Sequence, residues 1–309
     1  MKTGSRLEKV LEKGEFAVTS ECGPPRGADP DVIREKGKLL EGVVDAANIT
    51  DCQTSVVRMS SLASCLILKE MGFDPILQMV TRDRNRIAIQ SDILGAAALG
   101  INNILCLSGD HQRFGDHPQA KNVYDIDSIQ LIMTVKKMRD EGRFLNDQEL
   151  TKAPQLFIGA AANPFADPFE IRALRLAKKV AAGVEFIQTQ CIFNLDRFAE
   201  WMRQVVDMGL HEKVAILAGV TPLKSVGMGK YMKNLVPGMD VPDEVIERLK
   251  GVPKEKQSEE GIKICIETIM RLREMEGVRG VHIMAIEWEE KVREIAEGAG
   301  LLPRPKVQK

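Results

Sequence analysis

Short, near-continuous apolar runs alternate with amphipathic stretches along the whole chain. The runs that read as strands are 15–21 (EFAVTSE), 46–50 (AANIT), 74–81 (DPILQMVT) and 102–109 (NNILCLSG). They continue with 155–162 (QLFIGAAA), 185–190 (EFIQTQ), 213–220 (KVAILAGV) and 280–286 (GVHIMAI). Continuous apolar character, without polar alternation, marks strands covered on both faces. Between the runs lie helical stretches such as DVIREKGKLLEGVV, where Val32, Ile33, Leu39, Leu40, Val43 and Val44 share one face. Asp29–Pro30 reads as an N-cap and first-turn proline for that helix, and Asp167–Pro168 repeats the signal.

Eight strand–helix repeats predict an α/β fold, a (β/α)8 TIM barrel with right-handed crossovers, as one domain over residues 1–309. Such a barrel takes about 250 residues. The surplus is expected at 111–127 after the fourth strand, 143–154 before the fifth, and 235–256 between the seventh and eighth. In the last of these, NLVPGMDVPDE interrupts any helix. A doubly wound open sheet would carry a glycine-rich nucleotide turn after its first strand, and SECGPPRG has no G-x-G-x-x-G.

Charge and composition narrow the function. Lys+Arg number 43 against 44 Asp+Glu, a net charge of −1, which excludes a basic nucleic-acid footprint and a polybasic membrane patch. Aromatics make up only 5%, so a flat ligand must be held by aliphatic walls and polar contacts. No apolar run approaches the roughly 18 residues of a membrane-spanning helix. MKTGSRLEKVLEKGEF lacks the apolar centre of a signal peptide, so a cytoplasmic protein is expected. Its six cysteines are then reduced thiols, and without a C-x-x-C pair they give no zinc ribbon or iron–sulfur framework.

In a barrel, chemistry gathers at the C-terminal strand ends. Those positions carry Glu21, Thr50–Asp51, Thr81–Arg82, Gly109–Asp110, Asn163, Gln190, Thr221 and Glu287. Carboxylates, amides and hydroxyls suit a neutral or weakly charged heterocycle read by hydrogen bonds. A catalytic metal would want histidines or clustered carboxylates, so none is expected. Glu21 precedes Cys-Gly-Pro-Pro, whose prolines stiffen the turn beneath its carboxyl. It reads as a catalytic acid or as an exposed loop glutamate. Asp110 reads equally as a ligand contact beside a permissive glycine or as a turn aspartate. Gln188 and Gln190 share a strand face and read as a buried network or as ligand contacts. Lys178 and Lys179 suit a solvated helix face or a phosphate, Asp167 a helix cap, and His282 a satisfied core position.

Taken in order and spacing, five segments resemble the methylenetetrahydrofolate reductase family of flavin-dependent (β/α)8 barrels. They are VTSECGPPR, ILCLSGD, AANPFADP, AKKVAAGVEFIQTQCIF and GVRGVHIMAI, and the likeness runs over nearly the whole chain. The resemblance implies a folate substrate, 5,10-methylenetetrahydrofolate, reduced reversibly to 5-methyltetrahydrofolate by hydride from reduced flavin. It implies Glu21 as the general acid for opening the five-membered ring, with Asp110 and Gln190 on the pterin. It also implies flavin contacts at Thr50, Gln78, Ser108, Gly109, Asp110, Tyr124, Asn163, Asp167, Arg175, Lys178 and Lys179, and an oligomeric enzyme.

Several family positions differ. Aromatics around the first motif are replaced by Ser20, Cys22 and Gly23, and an arginine before Gly-Asp by Ser108. A histidine on the third strand is Gln78, a tyrosine on the fifth is Asn163, and an aromatic after the seventh is Val226. These leave FAD and FMN both open as the flavin. They also leave open whether electrons come from NAD(P)H or from the electron-delivering partner subunit used by some members from anaerobes. Two rival classes are a flavin-free pterin-binding methyltransferase with a corrinoid partner and a non-catalytic subunit of a larger redox complex. The trio Glu21, Asp110 and Gln190 argues against the second.

Overall fold

The computed structural model describes residues 2–307. Its strands are β1 (Ala17–Cys22), β2 (Ala46–Ile49), β3 (Pro75–Val80), β4 (Asn103–Leu107), β5 (Phe157–Ala162), β6 (Phe186–Cys191), β7 (Ala215–Val220) and β8 (Val278–Ile283). They pair in parallel in chain order and β8 returns to β1, closing the expected barrel. The first helices are α1 (Arg6–Glu12), α2 (Asp31–Leu40), α3 (Ser61–Glu70), α4 (Arg86–Ala98), α5 (Ser128–Asp140) and α6 (Arg172–Ala182). Then come α7 (Leu195–Asp207), α8 (Val226–Leu235), α9 (Asp243–Lys250), α10 (Gln257–Arg273) and α11 (Lys291–Gly298).

Two apolar regions result from the alternation of strand side chains. Val18, Ala47, Leu77, Ile104, Ile158, Ile187, Ile216 and Val281 face outward and pack against the ring of helices. Ala17, Ala46, Ile76, Leu105, Phe157, Phe186 and Leu217 face inward, where Leu7, Val10 and Leu11 of α1 meet them and stopper the base. Gly159 makes room for this interior: a Cβ there would lie 2.1 Å from the Phe186 ring.

Below the stopper, Asp45 is fully buried and accepts from Val18 N at 2.9 Å and Arg6 Nη2 at 3.0 Å. It also pairs with Arg304, which donates to Phe16 O at 2.7 Å. These contacts fasten α1 and the segment after α11 to the barrel.

All three surplus segments are where the sequence places them. The first carries a 3-10 turn at Gln112–Phe114, and the second an Arg143–Glu149 bridge. The third departs from expectation, because helix resumes after the break: α8 stops at Leu235 and α9 begins after Pro242. Helix α2 also ends earlier than its apolar pattern. Ile33, Gly37 and Leu40 form its buried stripe, Leu39 is 40% exposed, and Val43 and Val44 are buried beyond a left-handed Gly42. Asp29 accepts from Asp31 N at 2.9 Å, as an N-terminal cap would.

Candidate active site

A cavity of about 480 Å3 opens at the C-terminal ends of the strands, inside the roughly 300–1,000 Å3 of ordinary ligand pockets. Glu21, Gln78, Ser108, Asp110, Asn163, Gln190 and His282 line it, with Arg172, Arg175 and Lys179 from α6 on one wall. A larger cavity of about 890 Å3 lies at the base among Arg6, Asp45, Asp74 and Arg304. At the base Asp45 is already paired with Arg6 and Arg304, and in this fold chemistry gathers at the strand-end mouth.

Glu21 is the penultimate residue of β1, on the inward parity of Ala17 and Thr19. Its side chain is 18% exposed and lies 3.8 Å from His282 Nε2. The turn after it is pinned by Arg58 Nη1 donating to Pro24 O at 3.0 Å and Met59 N to Pro25 O at 2.9 Å. The stiffness expected from the two prolines is thus reinforced from the β2–α3 loop.

Asp110 follows Gly109, whose φ of +87° favours glycine and where a Cβ would lie 3.0 Å from Val80 Cβ. Thr54 N donates to Asp110 Oδ2 at 2.8 Å. Ser55 Oγ and Arg82 Nη1 hold its carbonyl at 2.8 and 3.0 Å. This brace is strained, since Cys52, Thr54 and Ser55 all have left-handed φ, of 46°, 56° and 57°. Thr54→Gly keeps the N–H and removes the steric penalty. It is expected to raise stability by about 1 kcal/mol, as read by urea melts.

Gln190 is re-aimed by an irregularity in the β6–β7 ladder between Gln188 and Cys191. Thr189 Oγ1 replaces a ladder acceptor by taking Gly219 N at 2.8 Å, and a Cβ on Gly219 would lie 2.3 Å from Thr189 O. Gln190 Oε1 accepts from Cys191 N at 3.0 Å, leaving its amide hydrogens for the cavity. Gln188, by contrast, is spent in the buried network that the sequence left open. It exchanges bonds with Asn48 at 2.6 and 2.9 Å and donates to Thr19 Oγ1 at 3.0 Å.

Arg172, Arg175 and Lys179 form a cationic wall with no carboxylate partner among the described residues. Arg172 donates to the Asp167 and Pro168 carbonyls, and Lys179 to Ala161 O. Burial, with Arg175 adding repulsion, pushes the Lys179 ammonium down to about 8. The unfolded chain therefore holds more protons between about 8 and the ordinary 10.5. Across that window the ligand-free protein is expected to gain stability relative to Lys179→Met as pH rises, the comparison removing the opposite trend of the buried cysteines, measured by urea melts of both on either side. A phosphate bound at this wall would hold the proton on and cancel the rise.

Buried cysteines do not compete as nucleophiles. Burial pushes the Cys22 thiol up to about 12 and raises Cys106 and Cys191 as well.

The family model for methylenetetrahydrofolate reductase matches residues 6–300. The chain belongs to the methylenetetrahydrofolate reductase family. It is 22% identical, over 96% of its length, to a probable methylenetetrahydrofolate reductase (NADPH) of Caenorhabditis elegans, of which it covers 44%. With methylenetetrahydrofolate reductase 1 of Schizosaccharomyces pombe it shares 23% identity over 77% of its own length and 37% of that protein. It thus spans less than half of these curated relatives. Among solved structures, a Clostridium thermocellum protein that binds two copies of 5-methyl-5,6,7,8-tetrahydrofolic acid aligns at a TM-score of 0.61. That match has 15% identity and covers 95% of this chain and 97% of the other, a likeness of fold.

Against the methylenetetrahydrofolate reductase pattern, the structure gathers most of the expected residues and separates a few. Glu21, Gln78, Ser108, Asp110, Asn163, Gln190, Arg175 and Lys179 share the cavity. Thr50, just past β2, is 2% exposed and outside that lining, and its Oγ1 has no partner. Tyr124 is 38% exposed, with its hydroxyl 3.4 Å from Gly109 O. Lys178 lies apart, in a groove with Met133, Lys136 and Lys137 between α5 and α6. Asp167 is not the helix cap expected: its carboxylate is 94% exposed, 3.7 Å from Arg197, and a 3-10 turn at Phe169–Ile171 precedes α6.

His282 is the satisfied core position expected, with Nδ1 2.9 Å from Thr19 Oγ1, and it does more. It is buried, as a core histidine would be, yet it lines the cavity and faces Glu21. Arg172, Thr19 and Asn48 were also missed. Strand parity was the available signal for the last two, because Thr19 stands two residues before Glu21 and Asn48 two before Thr50.

Proposed function

We propose that this barrel is a flavoenzyme that reduces 5,10-methylenetetrahydrofolate to 5-methyltetrahydrofolate, reversibly. The observation that carries the reading is the convergence of Glu21, Asp110 and Gln190 on one cavity whose far wall is cationic. The residues fit a flavin. Thr50 Oγ1 is a buried hydroxyl without a partner, Gly109 opens the backbone to close approach, and Arg175 and Lys179 suit a phosphate. A bound reduced flavin would supply the hydride.

The chain's own residues handle orientation and protons. Asp110, braced through Oδ2, presents Oδ1 to the donor edge of a pterin. Gln190 offers its amide hydrogens to the pterin's acceptors from β6, two strands round the barrel. Glu21 gives its proton to the departing nitrogen as the five-membered ring opens, and takes it back in the reverse direction. The short supply of aromatics favours a protein electron donor over a stacked NAD(P)H, within an oligomeric assembly. We place the enzyme in the cytoplasm, which suits cysteines that are all free.

An anaerobic visible spectrum, taken before and after adding 5-methyltetrahydrofolate, tests this. A flavin band that bleaches is the expected result. Protein that stays colourless after reconstitution with FAD or FMN would overturn the flavin reading in favour of a pterin-binding methyltransferase.

A further inference from the structure

We infer that the buried chain Asn48–Gln188–Thr19–His282 fixes which imidazole nitrogen carries the proton, making His282 the positioning residue for Glu21. The inference rests on the folate-reductase reading and names a device within that same site.

Four polar side chains occupy one interior level of the barrel, between the apolar stopper and the mouth. Thr19 and Asn48 are fully buried, and Gln188 and His282 are each 3% exposed. Such a layer is tolerated only when every member is satisfied. Asn48 Nδ2 donates to Gln188 Oε1 at 2.6 Å, and Gln188 Nε2 returns a bond to Asn48 Oδ1 at 2.9 Å. The second hydrogen on Gln188 Nε2 goes to Thr19 Oγ1 at 3.0 Å. Thr19 is thereby an acceptor toward Gln188 and has one hydrogen of its own to place. Val281 O lies 3.4 Å away and His282 Nδ1 only 2.9 Å away, so the hydrogen goes to Nδ1. A neutral ring that accepts at Nδ1 carries its hydrogen on Nε2, and Nε2 is the atom 3.8 Å from Glu21 Oε1.

The direction of the chain matters for an acid. After Glu21 has delivered its proton it is a carboxylate, and an N–H donor 3.8 Å away is within a small side-chain movement of bonding it in the orientation needed to take the proton back. The opposite tautomer would set a lone pair against that carboxylate. Glu21 also faces the Cys191 thiol on β6, which burial keeps protonated. His282 is therefore the donor at this spot that the network aligns.

The tautomer can be read without substrate or cofactor, because the protein has only four histidines. In uniformly 15N-labelled protein, long-range imidazole correlations are expected to show His282 with its hydrogen on Nε2. Thr19→Val, nearly isosteric, is expected to lose that signature and to lower kcat about tenfold with KM unchanged. This is a fraction of the roughly 10²–10⁴-fold that a positioned acid supplies. Thr19→Ser restores both. A wild-type ring protonated on Nδ1, or a Thr19→Val protein with tautomer and kcat unchanged, overturns the inference. Wild-type protein with the Nε2 tautomer but no folate turnover supports the chain and overturns only the reductase reading.

Discussion

Glu21→Gln is expected to abolish folate reduction while flavin remains bound. The amide preserves size and polarity at the end of β1 but carries no transferable proton, so the loss should be about 10²–10⁴-fold in kcat. The proposed flavin contacts, Thr50, Gly109, Arg175 and Lys179, lie on other elements, so the visible spectrum should be unchanged. Stability should move little, since Glu21 is partly exposed and lies 3.8 Å from the neutral His282 ring. Single-turnover kinetics in both directions would check this, because the same carboxyl serves both. Undiminished reduction by the Gln variant would remove Glu21 from the mechanism.

The second large effect lies far from the chemistry. Asp45→Asn is expected to cost about 3–5 kcal/mol of stability, the range for breaking a buried ion pair by removing one partner. Asp45 is fully buried between Arg6 and Arg304, and the Arg304 side chain is only 6% exposed. An asparagine can still accept from Val18 N, but the guanidinium of Arg304 would be left without its counter-charge. An exposed network supplies the contrast. Arg248 pairs with Glu260 and Glu267 while 39% exposed, so Arg248→Met should cost under about 1 kcal/mol. Urea denaturation of the two variants side by side distinguishes them, and equal losses would mean that burial of the Asp45 cluster contributes nothing special.

The barrel was legible in the sequence because strands covered on both faces write themselves as unbroken apolar runs. That same continuity hid which face was inside. Val281 and His282 are neighbours in one run, and only the closed sheet shows that the first meets the helices while the second meets Glu21. Hence His282 read as a core residue, which by burial it is. Lys178 and Lys179 look interchangeable in the chain, yet successive positions on a helix point about 100° apart, and only the second reaches the mouth. Asp167 resembled a cap because Pro168 follows it. Its partner Arg197 stands on α7, a contact made by folding and invisible to local spacing. Glu21, Asp110 and Gln190 were legible for the opposite reason: each sits where its strand run ends. The bulge that turns Gln190 toward the cavity, and the left-handed brace behind Asp110, depend on partners from other strands and had no signature of their own.

The stopper formed by Leu7, Val10 and Leu11 has a consequence for traffic. With the base sealed by apolar packing, the mouth cavity is a cul-de-sac. Whatever enters it leaves by the same doorway, past the same cations and the same carboxyl. Two reactants that need the floor of that cavity must visit in turn, so the architecture itself imposes a queue.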